Sequence, residues 1–176
     1  MAKRKNKKEI SKAKDNYTLA LAVSDRVQIE NVRLVSCGCN QKPEASIGQK
    51  KLNIDSKVRI EANKKNGFIL VFPTFKLEGF SLEGSGKEPD IVIEATFVLI
   101  YKADSLRGLK KENFEAFGNI NGIYNAWPYW REFVQNSVAR MGLPPLTVPV
   151  FRLVSPKKTK KAKGKKAKKK VAKKTK

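Results

Sequence analysis

The stretch from Asn119 to Pro149 constrains the fold more than any other part of the chain. It holds both tryptophans, two of the four tyrosines and four of the eight prolines. From Ala126 to Met141 the apolar side chains recur at helical spacing: Trp127, Trp130, Val134, Val138 and Met141, with Phe133 widening the stripe. Asn125 suits an N-cap, and Pro128 suits the first turn, where a missing N–H has no partner to lose. Arg140 faces the negative helix end, Gly142 suits the left-handed position after it, and Pro144-Pro145 forbids continuation. A helix of about 16 residues is roughly 24 Å long. Its aromatics exceed what covering a small sheet requires. Trp127, Tyr129, Trp130, Phe133 and Val134 are therefore the expected oligomer interface.

The segments before it alternate at strand spacing. Lys51 to Ala62 is the cleanest, with Leu52, Ile54, Val58, Ile60 and Ala62 on one phase and mainly charged residues on the other. Asn66-Gly67 supplies a hairpin turn to a third strand, Phe68 to Leu82, which Pro73 interrupts and so places at an edge or bulge. An earlier strand, Arg26 to about Cys37, changes phase between Ile29 and Val32, which predicts a bulge near Asn31. A loop follows from Gly38 to Gly48. Asp90 to Lys102 is the fourth strand, apolar on both phases at its far end. Leu106 to Phe117 reads as a short helix or turn, and Tyr17 to Val23 admits either helix or strand. Four consecutive strands and one long helix make an α+β domain: a four-stranded antiparallel meander packed against a helix.

The formal charge of +22 is unevenly placed. Residues 1–14 carry seven Lys/Arg against one Glu, and residues 156–176 carry thirteen Lys and no acid. The 15–155 remainder, 18 basic against 15 acidic residues, is an ordinary globular composition with enough chain to bury one core. The division is a basic disordered arm at 1–16, a folded domain at 17–155 and a Lys-rich disordered tail at 156–176. The tail, including Lys157, Lys158, Lys160, Lys161, Lys165 and Lys166, suits salt-dependent, nonspecific attraction to nucleic acid or another anionic surface. It lacks the aromatics that stack on bases.

Several chemistries are disfavoured. The chain has no histidine, which removes Ser-His and Cys-His nucleophile pairs and histidine metal sites. Its only cysteines, Cys37 and Cys39, fall short of a four-ligand zinc site. No cofactor, metal or catalytic constellation is expected, and an enzyme is not the reading. No apolar run is long enough for a membrane span, and the basic N-terminus lacks the apolar core of a secretory signal; a cytoplasmic location is the default expectation. Phe72, Phe75, Leu77, Phe80 and Leu82, around Pro73 and Gly79, are the expected lining of an exposed apolar binding groove.

The order and motifs of these elements resemble the SecB export-chaperone family over about residues 25–153. Val27 to Ser36 resembles the family's first strand. Asn125-Ala-Trp-Pro-Tyr-Trp-Arg-Glu-Phe133 resembles the opening of its main helix, and Met141-Gly-Leu-Pro-Pro-Leu-Thr-Val-Pro149 the segment after it. The resemblance implies a homotetramer, a dimer of dimers with helices between opposing sheets. It also implies ATP-independent holding of non-native polypeptides for export, with the SecA translocase as a partner. A toxin–antitoxin-associated chaperone is the alternative within the family. A small basic nucleic-acid-associated oligomer is the alternative outside it. The chain departs from the family where Pro156 and the lysine run replace a further helix, and where the 38–50 loop lacks an aromatic. It also lacks the acidic excess that the family uses to dock SecA.

Overall fold

The computed structural model describes residues 15–45, 48–82 and 88–152. The two tails, apart from a few residues, lie outside that range, and with them the expected polyanion-binding lysines. A helix, α1 (15–24), opens the described chain and resolves the ambiguous 17–23 segment as helical. Four strands follow: β1 (Val27–Gln41), β2 (Lys50–Asn63), β3 (Phe68–Ser81) and β4 (Ile91–Ala103). A continuous helical run then comprises α2 (Lys111–Phe117), a π-helical turn (Gly118–Gly122) and α3 (Ile123–Arg140).

The sheet is fully antiparallel with strand order β1-β4-β3-β2. Only β2, β3 and β4 form a meander. The chain after β1 crosses to the far edge, and β4 returns to pair with β1, so the expected simple meander is replaced. β1 also runs on to Gln41, through residues expected in a loop. The bulge near Asn31 is present as a register shift between Ile29 and Asn31, and a second shift lies between Leu34 and Ser36.

β3 is an interior strand despite Pro73. Its ladder with β2 runs unbroken, including Val58 opposite Pro73. The ladder with β4 lapses at Phe72 and Pro73 but resumes in the same register at Thr74. One lost donor is thus absorbed without a bulge, and the expectation of an edge there was wrong.

The buried row of β3 (Ile69, Val71, Phe75, Leu77) and that of β4 (Ile93, Ala95, Leu99, Tyr101) meet the inner stripe of α3: Ile123, Ala126, Trp130, Val134 and Val138. Trp130 stacks on Phe75, and Tyr101 meets Phe117 edge to face. The helical run begins at Lys111, where Asn113 Oδ1 accepts the Lys110 N–H at 2.9 Å. Asn125 is therefore inside the helix, not its cap, and its amide donates to the Tyr101 hydroxyl at 3.0 Å. Pro128 is likewise internal to α3 rather than in its first turn. The C-terminus matches expectation: Gly142 takes φ 67°, and its N–H bonds to the Ala139 carbonyl while Leu143 N–H bonds to that of Val138.

Two glycines let the helical run sit directly on the sheet. A Cβ at Gly122 would lie 2.6 Å from Val71 Cγ1, and one at Gly118 would overlap Ile60. α1 is tied to the same run by Asn113 Nδ2 donating to the Leu19 carbonyl and Asn121 Nδ2 to Ser24 Oγ.

Candidate functional site

The inner face of β2 carries a partly uncovered apolar row. β2 is an edge strand, so one side of its backbone ladder has no partner among the described residues. Leu52, Ile54, Val58, Ile60 and Ala62 pair with the buried row of β3 and so share its inward face. Leu52 is 38% exposed, and Ile54, Val58 and Ile60 are only partly buried.

Two hollows lie along this row. The first, about 200 Å³, is floored by Leu77, Ile91 and Val138 and bounded by Leu52, Leu143 and Leu146. Its mouth carries the Lys50–Asp90 ion pair, 2.9 Å between Nζ and Oδ2. The hydrogen bond from Lys50 holds the Asp90 carboxyl below its usual value, with charge attraction from Lys50 and Lys42 adding to it. The second hollow, about 390 Å³, lies between Val58, Ile60 and Ala62 of β2 and Phe114, Glu115 and Asn119 of the helical run.

The segment after α3 forms the wall opposite β2. Trp127 Nε1 donates to the Pro149 carbonyl at 2.7 Å, and Arg131 Nε to the Val148 carbonyl at 2.8 Å. Phe151 packs on Trp127, with centroids 5.2 Å apart. Side-chain donors thus satisfy two adjacent carbonyls of an extended segment that has no strand partner. Arg131 of the Arg-Glu pair serves this anchoring, while Glu132 accepts from Asn136 one helical turn on.

The residues expected to line a groove are dispersed. Phe75 and Leu77 are fully buried in the monomer core, because β3 is interior and its inward row is covered by the helix. Leu77 floors the first hollow. Phe72 and Phe80 point to the opposite face of the sheet, where the Arg59 guanidinium lies 3.8 Å from the Phe72 ring centroid. Leu82 is 59% exposed, beyond the end of β3. The alternation of β2 is plain in the sequence, but its place at a sheet edge is set by long-range strand pairing.

The expected interface residues also divide. Trp130 and Val134 are fully buried against the sheet and belong to the core. Trp127 and Phe133 are partly buried, and Tyr129 is 46% exposed beside Phe97. Phe97 pairs across the sheet with Leu34 of β1. Ile29, Leu34 and Val35 are about half exposed, so the other sheet edge has an apolar flank next to Tyr129. Among the described residues no group of three or more metal-ligating side chains forms, and no helix is long and apolar enough to cross a membrane.

A four-stranded β1-β4-β3-β2 antiparallel sheet, covered on one face by a single long helical run, is the SecB-like α+β fold. No protein-family model matches the chain, and no curated protein matches it. Among solved structures, the Mycobacterium tuberculosis SecB-like chaperone Rv1957, in complex with a ChAD peptide from the Rv1956 HigA1 antitoxin, matches with a TM-score of 0.68 at 17% identity. The match covers 80% of this chain and 99% of that one. A protein of unknown function from Streptococcus agalactiae matches at a TM-score of 0.39 and 8% identity, over 70% of this chain and 96% of that one, too distant for any argument.

Proposed function

We propose that this protein is an ATP-independent chaperone that holds extended, non-native polypeptide segments along β2. The observation that carries this reading is the partly uncovered apolar row Leu52, Ile54, Val58 and Ile60 on a strand with a free edge. Such an edge accepts a further strand through main-chain bonds, which are indifferent to sequence. The hollows at the two ends of the row take apolar side chains. The reading requires no catalytic group.

An antitoxin-type client is favoured over export. The SecB-like neighbour was solved with an antitoxin peptide. The outward sheet face carries Arg33, Lys51, Lys57, Arg59, Lys76 and Lys102 against Glu30, Asp55, Glu61, Glu78 and Glu94. That mixed, slightly basic face lacks the acidic excess that docking to SecA uses. Assembly into a homotetramer is part of the proposal, through the flank of Ile29, Leu34, Val35 and Tyr129, whose exposure is otherwise unexplained.

Light scattering from a chemically denatured client tests the reading. Suppression of aggregation near one tetramer per client is expected, and it should survive removal of residues 156–176. No suppression at that ratio would overturn it. Suppression lost with the tail would transfer the activity to the lysines.

A further inference from the structure

Beyond the register shift at Val35, β1 pairs regularly with β4, and Cys37 and Cys39 fall opposite Ala95 and Ile93. Both cysteines are free and exposed. They share one face of the strand, since residues two apart point the same way. Gly38 between them points to the other face, and a Cβ there would meet nothing within 4 Å. At about 3.3 Å per residue their Cβ atoms are roughly 6.6 Å apart. A disulfide needs about 3.5–4.5 Å, so the two thiols do not bridge to each other on a regular strand. Each sulfur leaning inward brings the pair within reach of one ion held between them.

The surroundings select the ion. The cross-strand neighbours on this face, Ala95 and Ile93, carry no oxygen or nitrogen donor in their side chains. The chain has no histidine, and among the described residues no third metal-ligating side chain joins the pair. Zinc requires about four ligands and calcium or magnesium an oxygen shell, so a single chain satisfies neither. Thiolates alone suit a soft monovalent ion that accepts two ligands in line.

We propose that Cys37 and Cys39 form a two-thiolate binding site for Cu(I). Binding releases the two thiol protons and leaves the copper oxidation state unchanged. The site is independent of client holding, because its residues lie on the sheet edge opposite β2.

The test is anaerobic titration of the reduced, full-length protein with Cu(I), in competition with a chromophoric Cu(I) chelator. One equivalent per chain should be withdrawn from the chelator. Cys37→Ser and Cys39→Ser should each weaken uptake by roughly two orders of magnitude, the effective concentration lost when a chelate becomes a single ligand. Both variants should keep the wild-type circular dichroism, since both side chains are exposed. No equivalent withdrawn, or wild-type uptake by either single variant, overturns the site. Zinc taken up in preference to Cu(I) overturns the two-coordinate assignment.

Discussion

The indole of Trp130 lies nearly parallel to the ring of Phe75, with centroids 5.5 Å apart and 17° between planes. Both side chains are fully buried, and Phe133 continues the stack at 6.1 Å from Trp130. Trp130 Nε1 has no hydrogen-bond acceptor among the described residues. The residue therefore acts through its area and shape, not its polar atom. Trp130→Ala should cost about 3–5 kcal/mol in urea unfolding. Trp130→Phe should cost markedly less, because it keeps the stack and removes an unsatisfied donor. Equal losses in the two variants would assign the indole N–H a partner.

The helical run also meets β3 closely at Gly122. Its missing Cβ leaves room for Val71 Cγ1, which a methyl group would meet at 2.6 Å. Gly122→Ala should destabilise by roughly 1–3 kcal/mol, the usual range for overpacking. Val71→Ala in the same chain should recover part of that loss. A double-mutant cycle of thermal or urea unfolding measures the coupling, and strict additivity would place the cost elsewhere.

Alkaline stability should be governed in part by Tyr101. Burial pushes its hydroxyl up to about 12, against a partial opposing effect of the Asn125 hydrogen bond. The unfolded value is the ordinary 10.0. Because the folded value is the higher one, the contribution is complete below pH 10 and is lost as pH rises towards 12. Unfolding followed by circular dichroism should coincide with the appearance of one late tyrosinate band. Tyr101→Phe should abolish that band and reduce the alkaline dependence.

If clients lie along β2, the two faces of the sheet should respond differently to substitution. Leu52→Asp places a charge in the inner row at a partly exposed position, so the fold should survive. The concentration needed to halve client aggregation should rise at least about tenfold, equivalent to 1.4 kcal/mol. Phe80→Ser, on the outward face, should leave that concentration unchanged. Equal effects would move the site off β2.

Local features were legible where one short stretch sufficed to decide them. The Gly142 stop, the phase change near Asn31 and the alternation of β2 all depend on neighbours within a few residues. The start of the long helix was misread at Asn125 because a π-helical turn carries the helix back to Lys111. Gly118 and Gly122 have low helix propensity and are tolerated there because the sheet packs where their side chains would be.

The candidate site was illegible for a different reason. Strand order decides which apolar rows are covered twice and which once. Pro73 argued locally for an edge, yet β3 lies between β2 and β4, so Phe75 and Leu77 vanish into the core. The crossover after β1 instead leaves β2 at an edge and exposes Leu52.

By itself, then, the amino-acid sequence determined four strands, one long aromatic-rich helix, its C-terminal stop and the separation of a near-neutral domain from basic tails. These rest on local conformational preference and on the period of apolar residues. Only the tertiary structure decided that Trp130 and Val134 are core while Tyr129 stays exposed, and that β2 rather than β3 offers an open apolar row. Exposure is a property of what packs on top, and that is set by long-range strand pairing, which no local pattern encodes.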